Sequence, residues 1–133
     1  MNDQAIAAIE ACTRGSDAER MTFPAVVARL AEAGIERYHA DLRRAEKTYF
    51  LPDGESRVLA CAPVAAESAA GFSAAGVEAA VRAVQAGRIR YTAFCEAIVA
   101  AGCVGYLVSL PGRRAVYYGR TAECHVEPFP AAA

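Results

Sequence analysis

Apolar positions along this chain recur at two spacings, and the change from one to the other divides it into helical and extended runs. Ile6, Ile9 and Thr13 fall at helical spacing behind Asn2 or Asp3, either of which can cap a first helix ending near Gly15. Thr22 is placed to cap a second helix, with Pro24 tolerated in its first turn, a stripe of Phe23, Val26, Val27, Leu30 and Ala33, and Gly34 at the C′ position. From Gly34 to Cys61 the period shortens to two. Residues 35–42 alternate, residues 47–51 carry Thr, Tyr and Phe, and Pro52-Asp53-Gly54 turns the chain into a third extended run. Residues 63–71 form a small-residue connector. Ser73 then caps a third helix carrying Val77, Val81 and Val84 up to Gly87, and residues 91–101 form a fourth on Phe94 and Ile98, closed by Gly102. Extended runs follow at 103–110, 114–118 and 123–127, with a Pro111-Gly112 turn, and residues 128–133 read as a loose tail.

A shift of 68 positions aligns the two halves without a gap, matching Glu10 with Glu78, Arg14 with Arg82, Gly34 with Gly102, Tyr38 with Tyr106, Leu42 with Leu110, Tyr49 with Tyr117 and Val58 with Val126. The expectation is a single domain over 1–133, built by internal duplication of a helix-helix-strand-strand-strand unit at about 3–62 and 71–130. Neither half buries much apolar surface alone, so both should share one core. The predicted architecture is an α+β two-layer sandwich with four helices on one face of a mainly antiparallel sheet. Strand phase assigns Tyr38, Ala40 and Leu42, with Tyr106, Val108 and Leu110, to the covered face, and Arg37, His39 and Asp41 to the other. If Val58 and Val126 also point inward, then Glu55, Arg57, Glu123, His125 and Glu127 point outward. Lys47 and Tyr49 can join them.

Composition narrows the function classes. The 133 residues carry a formal net charge of -1 with interspersed signs, which gives no field to attract nucleic acid or acidic membranes. No apolar run approaches the roughly 20 residues needed to span a bilayer, and the N-terminus lacks a signal-peptide pattern. Five cysteines with no C-x-x-C argue against a disulfide framework or zinc ribbon and for a reducing cytoplasm, with the thiols as core filler. Lys47 is the only lysine; the other basic residues are arginines.

Candidate chemistry centres on the uncovered sheet face, with His39, Asp41, Lys47, Tyr49, His125 and Glu127 as a binding surface. The two histidines are each followed two residues later by a carboxylate, the same-face spacing that a metal site or acid–base pair uses, although the two pairs lie on non-equivalent strands. Solvated His–carboxylate pairs on an open face are the simpler reading. Lys47 is a nucleophile or phosphate contact only if desolvated; otherwise it is an edge-protecting charge. Arg43, Arg44, Arg113 and Arg114 cluster at turns. No nucleotide-binding or hydrolase fingerprint occurs, and no cofactor, metal or catalytic residue is assigned.

The stretches GIERYHADLRRAEKTYFLPDGE and AAGCVGYLVSLPGRRAVYYGR, with the closing HVEPFP, resemble a family of small bacterial proteins of unknown function that includes the prophage-encoded YdfO and YbcV. Some members are labelled phage envelope proteins. The resemblance implies a compact α+β fold and supplies no catalytic residues. The leading expectation is a small cytoplasmic binding or interaction module acting through the open sheet face on a small molecule or protein, or on a second copy as a homodimer. An enzyme with a His–carboxylate site and a phage-derived structural or inhibitory protein are the alternatives.

Overall fold

The computed structural model describes residues 1–130. Helices α1 (Asp3–Asp17) and α2 (Phe23–Glu32) precede strands β1 (Arg37–Asp41), β2 (Glu46–Phe50) and β3 (Ser56–Ala60). Helices α3 (Ala74–Gln85) and α4 (Tyr91–Ala100) precede β4 (Cys103–Ser109), β5 (Arg114–Gly119) and β6 (Cys124–Pro128). This is an α+β fold. Three helices start where a side chain can accept an otherwise unpaired N–H: Asn2 from Ala5 at 2.8 Å, Thr22 from Ala25 at 3.4 Å and Ser73 from Gly76 at 3.0 Å.

All six strands form one antiparallel sheet in the order β3-β2-β1-β4-β5-β6. The central β1–β4 pair sets Tyr38 opposite Val108 and Ala40 opposite Tyr106, and all four are buried against the helices. Ile9, Leu30, Val77 and Ile98, one from each helix, are fully buried in the same core. Each contributes about 1.5–3 kcal/mol by leaving water. The inward set Tyr38, Ala40, Tyr106, Val108 and Leu110 thus faces the helices as expected, and Leu42 is partly buried beside it.

The outer strands run opposite to expectation. Pairing of Thr48 with Val58 and of Val116 with Val126 turns both valines to the uncovered face, where they are 52% and 44% exposed. Arg57, His125 and Glu127 consequently lie on the helix side. Pairing register, and not side-chain type, sets this phase, so the uncovered face carries its own apolar row. The tail also differs. Pro128 belongs to β6, and Phe129 donates its N–H to the Arg113 carbonyl and sets its ring edge-on to Phe23 at 5.3 Å. Residues 131–133 of the expected tail lie outside the described residues.

Candidate functional site

Register divides the six candidate residues between two faces. On β1, His39 and Asp41 occupy the open face. Four residues connect β1 to β2, and pairing Tyr38 with Tyr49 and Ala40 with Lys47 turns Tyr49 and Lys47 into the core, where they are 1% and 3% exposed. The expectation that Lys47 and Tyr49 join the open face is therefore corrected: the hairpin fixes their phase. Tyr49 is a packing residue whose hydroxyl meets Thr13 Oγ1 at 2.9 Å, joining β2 to α1.

His125 and Glu127 are likewise withdrawn from the open face. Register places them opposite Tyr117 and Ala115, under α3. There Arg82 Nη1 donates to Glu127 Oε1 at 2.5 Å, and His125 Nε2 lies 3.0 Å from Glu127 Oε2. Burial pushes the Glu127 carboxyl up, but its contacts with Arg82 and His125 outweigh this and hold its pKa below the usual carboxylate value. The cluster pins an edge strand to a helix. His39 and His125 lie on opposite faces with β4 and β5 between their strands, so the two pairs form no shared centre. Among the described residues no group of three or more His, Cys, Asp or Glu is placed to hold a metal ion.

The open face has two features of its own. In-register pairing aligns Val58, Thr48, His39, Leu107, Val116 and Val126 in one row across all six strands. Four of these six are aliphatic. On one flank of the row lie Phe50, Arg37 and Arg114, with the Arg37 guanidinium 4.3 Å over the Phe50 ring. On the other lie Glu46, Asp41, Gly105 and Tyr118. Tyr118 crosses β4 to bring its hydroxyl 2.6 Å from His39 Nε2, the rings stacked at 5.9 Å. Only glycine permits that crossing, because a Cβ on Gly105 would come within 2.7 Å of Tyr118 Cζ. Asp41 takes the backbone N–H groups of Arg43 and Arg44, each at 3.0 Å, and so closes the β1–β2 turn.

A second feature lies on the helix side. Lys47 projects into a cavity of about 40 Å³ between the N-terminal turns of α4, the end of α1 and the start of the connector. Tyr91 presents its ring 4.8 Å from Lys47 Nζ, while Cys61, Cys95 and Asp17 line the remaining wall. Burial lowers the amine's pKa below its ordinary value, opposed by Cys61, Cys95, Asp17 and Cys12. Burial also raises the Cys61 thiol, and that of Cys95 to about 11, so both stay protonated at neutral pH. The sequence signal for desolvation of Lys47 is its odd spacing from Tyr38 across a four-residue hairpin loop. Gly105 and Tyr118 gave no sequence signal beyond residue type.

No family model and no curated protein matches the chain. No helix among the described residues is long and apolar enough to cross a membrane.

Proposed function

We propose that the protein is a small interaction module whose open sheet face docks a second copy of itself. The observation that carries this reading is the row Val58, Thr48, His39, Leu107, Val116 and Val126, mostly aliphatic on a face that no helix covers. Such a row costs free energy in water and regains it when two sheets stack about 10 Å apart. Six strands of five residues give a footprint on the order of 500 Å² in projection. Side-chain relief brings this near the roughly 800 Å² per partner of an ordinary dimer. Charge favours one orientation. A two-fold axis parallel to the row stacks row on row and sets the Arg37 flank of each copy over the Asp41 flank of the other.

Sedimentation velocity at micromolar to millimolar concentration tests this. The expected result is a concentration-dependent dimer that Leu107→Glu dissociates while leaving the circular dichroism spectrum unchanged. A protein monomeric throughout that range, or a dimer indifferent to Leu107→Glu and Val126→Arg, rules the surface out.

We also propose that the chain arose by duplication. Supporting this, α2 and α4, β2 and β5, and β3 and β6 are each offset by 68 residues. The positive-φ positions Glu19, Gly34, Ala45 and Gly54 recur at the same offset as Gly87, Gly102, Arg113 and Ala122. We propose kinship with the YdfO and YbcV family on the sequence resemblance alone.

A further inference from the structure

We infer that the cavity around Lys47 is a binding site for a small, uncharged carbonyl compound, held as an imine on the lysine amine. The site does not depend on the open sheet face. Its first support is an amine without a partner: Lys47 is 3% exposed, and among the described residues its Nζ has no hydrogen bond or ion pair, only the Tyr91 ring at 4.8 Å. No fully buried side-chain nitrogen among the described residues lacks a partner, so this Nζ opens onto the cavity while the rest of its side chain is desolvated. The second support is residue choice. Lys47 is the chain's only lysine, and its other permanently charged basic side chains are arginines, which stay protonated and non-nucleophilic wherever they are placed. The one side-chain amine of the chain is the one placed in a cavity.

The walls select the ligand. Asp17 and Glu96 are both on the lining against a single amine, so a carboxylate or phosphate meets net negative charge, whereas a neutral aldehyde does not. A volume of about 40 Å³ admits about three water-sized atoms, the size of acetaldehyde rather than of a sugar. Exposed Thr92, Glu96, Ala62 and Pro63 form the rim through which it would enter. The Nζ lone pair adds to the carbonyl carbon, and the proton passes to the carbonyl oxygen to give a carbinolamine. That hydroxyl takes up the proton the ammonium gave to solvent and leaves as water, and a protonated C=N bond remains. No oxidant or reductant is consumed. The protonated imine then carries its charge over the Tyr91 face, where cation–π attraction replaces lost hydration. Cys61 and Cys95, kept as thiols by burial, do not compete for the carbonyl.

At the position 68 residues later the amine is missing. Ala115 stands where Lys47 does, and Phe129, whose N–H bonds to Arg113 as that of Cys61 bonds to Ala45, sets its ring edge-on to Phe23. Only one end of the sheet carries the amine.

The test uses full-length protein with acetaldehyde and cyanoborohydride, which reduces an imine to a stable alkyl amine, read by intact mass and peptide mapping. The chain has two amines, Lys47 and the N-terminus, so assignment is direct. The expected result is an adduct at Lys47 beside that at the N-terminus, the Lys47 adduct forming severalfold faster in the native protein than in urea and more slowly with the anionic glyoxylate. Lys47→Met should take up aldehyde only at the N-terminus. If Lys47 reacts more slowly in the native protein than in urea, the lysine is merely buried and the inference fails. A preference for glyoxylate overturns the uncharged class. The native-to-urea comparison needs no variant, so it decides the matter even if Lys47→Met does not fold.

Discussion

Lys47 stands at a position whose phase calls for an apolar side chain, between Ala40 and Leu59 on the inner face of the sheet. Holding an ammonium there should cost stability. Because the folded pKa lies below the model value of 10.5, the unfolded chain binds the proton more tightly, and stability rises as pH climbs from the folded pKa towards 10.5. Below that window the full penalty applies. Lys47→Met, similar in volume and uncharged, is expected to stabilise the protein by about 1–3 kcal/mol at neutral pH. It should also flatten the alkaline rise in stability. Urea melts near neutral and alkaline pH measure both effects, and a variant less stable than wild type at neutral pH contradicts the assignment.

At the scale of elements, the Arg82–Glu127–His125 cluster fastens α3 to edge strand β6. The Glu127 carboxyl has a lowered folded pKa, so its contribution is fully present above the ordinary value of 4.5 and is lost as pH falls through the folded one. Glu127→Gln is expected to cost about 1–2 kcal/mol at neutral pH. The cost should shrink towards zero under acid conditions in thermal melts of both proteins. An equal cost at both pH values removes the charge from the account. The element pattern was legible in the sequence because caps such as Thr22 and Ser73, and stops such as Gly34 and Gly102, act locally. Strand phase beyond the central pair was not. It depends on hairpin loop length and on which face lacks a cover, so Lys47, Tyr49, His125 and Glu127 were assigned to the wrong side while His39 and Asp41 were assigned to the right one.

At the scale of the whole molecule, the β1–β4 register makes a further test of the duplication. Tyr38 pairs with Val108 and Ala40 with Tyr106, positions that a shift of 68 carries into each other. A fragment of residues 1–70 leaves the β1 edge unpaired and is expected to associate through it, Tyr38 opposite Ala40 of the second fragment with His39 on the axis. Light scattering should report a folded dimer; a folded monomer would show that one half is self-sufficient. The placement of the only lysine has a different consequence for the intact chain. Lys47 is 3% exposed, so the folded surface of the described residues offers no free side-chain amine to acyltransferases, ubiquitin-type ligases or lysine-directed proteases. Agents too bulky for the Lys47 cavity must wait for the sheet to open. Cleavage after Lys47 by a lysine-specific protease therefore serves as a built-in clock for unfolding, readable in a crude extract without a label.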